Sequence, residues 1–98
     1  MAKASKGDIE AQAYLAFCYE RGTGVVQSYQ KAAVWYESAA NKGHAKAQTK
    51  LGLLIYKGLG VTQSYKKAAE WFQRAANQGY AEGQTKIGIC YYKGQGNE

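Results

Sequence analysis

Ser28 and Lys31 are separated by two residues, and so are Ser64 and Lys67. In a helix this S-x-x-K spacing sets the lysine one turn beyond the serine, where its amine could take the hydroxyl proton. It is the acylating arrangement of serine β-lactamases. No S-D-N or K-T-G partner sequence accompanies it. Each serine instead precedes a helix-forming run, where a hydroxyl caps orphan backbone amides. Gly22-Thr23-Gly24 and Gly58-Leu59-Gly60 could cradle phosphate through backbone amides. They lack a third glycine and a preceding strand, so they read as turns. His44 is the only histidine and stands at the start of a helical pattern. With one histidine and two distant cysteines, no metal site has enough ligands. No catalytic residue, metal or cofactor is expected.

The spacing of these residues has a simpler origin. Gln27-Ser28-Tyr29 recurs as Gln63-Ser64-Tyr65, Trp35 as Trp71, Ala39-Ala40-Asn41 as Ala75-Ala76-Asn77, and Gly7 as Gly43 and Gly79. The chain repeats every 36 residues. A fixed period in this range marks stacked units, each covering the apolar face of its neighbour.

Each period holds two helical patterns. In the second, Ala47, Leu51, Leu54 and Ile55 share one helical face, and Ala68, Ala69, Trp71, Phe72, Ala75 and Ala76 another. A glycine loop with Val61 as an apolar plug separates them, and Gly79 ends the second. The pattern predicts helices over 8–21, 28–42, 44–57, 64–78 and 80–93, with short connections that make neighbours antiparallel. Trp35 and Trp71 are expected on the inward face. Gly52 and Gly88 lie inside helices, at a cost of about 1 kcal/mol each relative to alanine, which predicts close approach of a paired helix.

Cys18 and Cys90 occupy equivalent positions two periods apart, beyond disulfide reach in a linear stack, and read as buried thiols. They leave the redox compartment open, and localisation is unassigned between cytoplasm and periplasm. No apolar run is long enough for a signal or a membrane span, so no membrane insertion is expected. Thirteen basic and seven acidic residues give +6, spread along the chain without a run of five or more like charges. Such dispersion suits a solvated surface better than a dedicated polyanion site.

The residues Ala47, Leu51-Gly52, Gly58, Gly60-Val61, Lys67-Ala68, Trp71, Ala75-Ala76 and Gly79 resemble the Sel1-like repeat family, a relative of the tetratricopeptide repeats. Ile55 departs from the family tyrosine, which Tyr19 and Tyr91 keep, and Ser28 and Ser64 replace its preferred aspartate. The resemblance implies an all-α fold, a right-handed α/α solenoid of about two and a half helix pairs. It also implies a non-catalytic adaptor that scaffolds protein complexes. Relatives linked to β-lactam binding carry closely spaced cysteine pairs, which this chain lacks, so that activity is not carried over. The single solenoid of 1–98 divides into repeat one at 8–43, repeat two at 44–79 and a partial repeat three at 80–98. Residues 1–7 match the end of a preceding second helix. Both ends look cut from a longer bacterial-type array, and end-to-end self-association through Ile87, Cys90 and Tyr91 is expected.

Related solenoids use the outer face of each first helix as a concave groove, which here points to a protein or peptide partner. That face carries Glu10, Ala13, Phe17, Glu20 and Arg21 in repeat one. Repeat two offers Lys46, Thr49, Leu53, Tyr56 and Lys57, and repeat three Glu82, Thr85, Ile89, Tyr92 and Lys93. Phe17, Leu53 and Ile89 form an apolar row, and Arg21, Lys57 and Lys93 a basic row beside it. An apolar row rimmed by charge is what a peptide groove requires. Nucleic-acid or other polyanion binding ranks second, and a serine hydrolase or β-lactam-binding activity last.

Overall fold

The computed structural model describes residues 8–94. It holds five helices among those residues: α1 (Ile9–Arg21), α2 (Tyr29–Asn41), α3 (Ala45–Lys57), α4 (Tyr65–Asn77) and α5 (Ala81–Lys93). Each lies within one residue of its expected start and end. The helices zigzag, each packing on the next, and α3 also touches α5 directly. The described chain is an elongated stack 44 Å long and 17 Å thick.

The repeated sequence elements fix the ends of the helices. Ser28 Oγ accepts from the Lys31 amide at 3.1 Å, and Ser64 Oγ from the Lys67 amide at 3.1 Å. Both serines of the S-x-x-K pairs are therefore N-caps. Asp8 and His44 cap α1 and α3 in the same way. Each first helix ends on a glycine in the left-handed region, Gly22, Gly58 or Gly94, as residues with a Cβ seldom do. The repeated glutamine explains how the next loop is held. Gln27 Nε2 donates to the Glu20 carbonyl and Gln63 Nε2 to the Tyr56 carbonyl, both at 3.2 Å.

The core is alanine-rich, with Tyr36, Phe72, Leu51, Leu54, Ile55 and Ile87 as its large members. Small side chains let the backbones approach. A Cβ added at Gly52 would lie 2.6 Å from the Phe72 ring, so this glycine is required by contact with α4. At Gly60 an added Cβ would collide with the backbone of Tyr29 and Gln30, because this loop rests on the start of α2. Gly88, at the position of Gly52, meets nothing within 4 Å, and the expected close approach is absent there. No helix follows α5 among the described residues to supply one.

Two further expectations are corrected. Trp35 and Trp71 are half-buried rather than central; the deep position is the next one, where Tyr36 and Phe72 are 2% and 1% exposed. The Arg74 guanidinium lies 4.5 Å from the Trp71 ring and shields its outer side. The apolar patch expected on α5 is also smaller. Ile87 and Cys90 are buried, leaving Tyr91 as its exposed member, and the Tyr91 hydroxyl donates to Gln73 Oε1. Both cysteines are free and buried.

Candidate functional site

α1, α3 and α5 stand side by side, and each junction between them leaves a cavity floored by the intervening second helix. The first, about 300 Å³, is lined by Glu10, Ala13, Phe17, Tyr36, His44 and Lys46 among others. The second, about 280 Å³, is lined by Leu53, Tyr56, Lys57, Phe72, Lys86, Ile89, Cys90 and Lys93. The apolar row of Phe17, Leu53 and Ile89 is thus divided between two recesses.

The expected site residues meet different fates. Leu53, Tyr56, Lys57, Ile89 and Lys93 come together around the second cavity. Phe17 lines the first, and Arg21 lies over its ring at 5.2 Å. Glu20 is drawn inward, because its Oε1 accepts a 2.7 Å hydrogen bond from the Tyr36 hydroxyl. Thr49 does not belong to the open face. It is fully buried, and its hydroxyl donates to the Ala45 carbonyl. Flanked by neighbouring helices, α3 has no solvent at that angle. Thr85, its equivalent on α5, is exposed and lines neither cavity. Tyr92 is 91% exposed and also lines neither. Its equivalent Tyr56 is held by the Tyr65 ring at 4.9 Å and Phe72 at 6.5 Å, contacts that the following helix α4 provides.

Phe72, Lys86 and Cys90 complete the second cavity; the sequence had set Phe72 and Cys90 in the core and given Lys86 no role. Lys86 could have been found, since it precedes Ile89 by three positions and so shares its helical face. Phe72 comes from the other helix type, and only packing brings it there. The electrostatics of the two cavities differ. Burial, then the hydrogen bond and charge of Glu20, push the Tyr36 phenol well above its ordinary range. Burial also raises the Cys90 thiol, against the opposing pull of the Lys93 ammonium.

His44 links the first two repeats. Its Nδ1 accepts from the Ala47 amide at 3.0 Å, while Nε2 lies 3.3 Å from Glu10 Oε2. A neutral ring with its proton on Nε2 serves both partners. A buried glutamine makes a similar polar seam: Gln48 Nε2 donates to the Ala40 carbonyl, and its Oε1 accepts from Nε2 of the exposed Gln78. No group of three or more histidine, cysteine or acidic side chains able to hold a metal occurs among the described residues. Among them, too, no helix is long and apolar enough to cross a membrane.

The comparisons agree with this architecture. The Sel1 repeat model matches residues 9–44, 45–80 and 81–97. A protective antigen present in uropathogenic Escherichia coli strains, solved by crystallography and displaying an SLR fold, is 39% identical at a TM-score of 0.92. That match covers 95% of this chain and 20% of the antigen chain. A Sel1 repeat protein from Oxalobacter formigenes is 34% identical with a TM-score of 0.92, over 98% of this chain and 40% of its own. This chain therefore spans well under half the length of either solved protein. Comparison with the curated proteins finds no match. Sel1 repeat proteins are generally protein-interaction scaffolds and typically non-catalytic. With its period, its paired helices and matches to all three units, the chain belongs to the Sel1 repeat family.

Proposed function

We propose that this chain is a non-catalytic interaction module that receives a protein or peptide segment along the face of α1, α3 and α5. One observation carries the reading. Phe17, Leu53 and Ile89 occupy equivalent positions, remain outside the fully buried core, and line successive cavities on one side of the stack. Apolar residues held at a regular interval in open recesses are anchors for a chain laid across them. The S-x-x-K serines, engaged as helix caps, give no support to acyl transfer.

Replacing Ile89 or Leu53 with serine tests the reading. Ile89 is 40% exposed, so Ile89→Ser is expected to leave the melting temperature nearly unchanged. Binding of a captured partner should weaken by about 1–3 kcal/mol, the range for a buried anchor. Leu53→Ser should weaken binding similarly, with a modest loss of stability because Leu53 also packs on the core. Unchanged affinity in both variants, with melting intact, would place the interaction surface elsewhere.

A further inference from the structure

The two cavities are related by the repeat but not by their charge. The first is lined by Glu10 together with His44 and Lys46. The second has three lysines, Lys57, Lys86 and Lys93, and no carboxylate among the described residues that line it. None of these three lysines is ion-paired among the described residues. Lys57 and Lys93 stand in the last turns of α3 and α5, where a cation offsets the negative end of the helix dipole. That role does not extend to Lys86, which lies in the middle of α5 and is half-buried. A half-buried lysine lays its methylene stem on apolar surface and carries its ammonium to the rim. Three lysines thus share the lining with Leu53, Phe72, Ile89 and Cys90.

We infer that the α3–α5 cavity selects an acidic protein segment that seats one bulky apolar side chain among Leu53, Phe72 and Ile89, with flanking carboxylates met by Lys57, Lys86 and Lys93. This rests on the interaction role proposed above and adds the chemistry of the segment. The size agrees: about 280 Å³ lies just below the range of small-molecule cavities, roughly 300–1,000 Å³, and suits one anchoring side chain. The apolar floor supplies affinity, and the lysines steer the encounter and exclude basic competitors. A nucleic acid fits less well. Its bases need open aromatic faces to stack on. Here Phe72 is buried and Tyr56 is packed against Tyr65 and Phe72.

The test is fluorescence anisotropy of the whole chain with labelled synthetic peptides. The probe has a central phenylalanine flanked by aspartates in a Gly-Ser frame. Its controls replace the aspartates by asparagine, or the phenylalanine by alanine, and an oligothymidylate provides a non-peptide polyanion. The acidic phenylalanine peptide is expected to bind about tenfold or more tightly than each control. Lys86→Glu should weaken it by about tenfold or more, whereas Lys46→Glu at the first cavity should change it by less than about twofold. Circular dichroism checks that both variants stay folded. Equal binding of the alanine peptide or the oligothymidylate overturns the inference in favour of diffuse polyanion attraction. Equal losses in Lys86→Glu and Lys46→Glu overturn it too, as does failure of every peptide to bind. If the asparagine peptide binds as tightly and Ile89→Ser still weakens it, the charge selectivity falls while the interaction role stands.

Discussion

In the first repeat the Tyr36 hydroxyl donates to Glu20 Oε1 at 2.7 Å. In the second, the equivalent Phe72 has no hydroxyl, and Tyr56 stands where Glu20 would be, its ring 6.5 Å from that of Phe72. One backbone plan is thus closed by a hydrogen bond in one unit and by tilted ring contacts in the next. The paired change is what physical chemistry demands. A carboxylate against Phe72 would lose its donor, and a buried phenol without an acceptor would go unsatisfied. The charge of the adjoining cavities differs for another reason: Glu10 lines the first, whereas Lys57, Lys86 and Lys93 line the second.

The largest expected effect tests how far the aromatic centre of repeat two supports the stack. Phe72 is 1% exposed and joins α4 to α3. Phe72→Ala should cost about 3–5 kcal/mol, the range for a buried aromatic truncated to alanine. Given the marginal stability of a domain this size, thermal melting should show most molecules unfolded or nearly so. A loss below about 1 kcal/mol would mean that the centre can collapse around the void.

A second, intermediate effect compares one repeat position in two surroundings. Gly52→Ala pushes a Cβ into the buried Phe72 ring and should destabilise by about 1–3 kcal/mol despite the better helix propensity of alanine. Gly88→Ala meets open space and should stabilise by up to about 1 kcal/mol. Chemical denaturation of the two variants would show opposite shifts. Shifts of the same sign would contradict the close packing of α3 on α4.

The smallest effect sharpens the contrast between the two centres. Tyr36→Phe converts the first centre toward the second without its matching partner, and should cost about 1 kcal/mol near neutral pH. The phenol of Tyr36 is held above its ordinary value of 10.0 in the folded chain. Above that value the unfolded chain loses this proton first, so folded protein binds more protons and stability falls as pH rises. Replacing the tyrosine removes that contribution. The alkaline decline in melting temperature should therefore be shallower in Tyr36→Phe than in the parent, and equal slopes would show that the phenol ionises as easily in the fold as outside it.

By itself the sequence determined the helices, their ends and the faces of the core. Apolar spacing, capping serines and loop glycines act within a turn or two of the chain, so Ser64, Gly58 and Leu51 could each be placed from neighbours in sequence. It also located the apolar row, because Leu53 and Ile89 are offset from the core stripe of their own helices. The tertiary structure decided what several helices decide together. Thr49 left the open face because α3 lies between its neighbours, whereas Thr85, at the same register, stayed exposed. Trp71 yielded the centre to Phe72, and Phe72 entered a recess otherwise built by α3 and α5. Tyr56 and Tyr92 share a position in the repeat, yet one is packed and the other is 91% exposed. A residue's type sets which contacts it can make, but burial depends on which helices lie beside it, and that is a property of the stack.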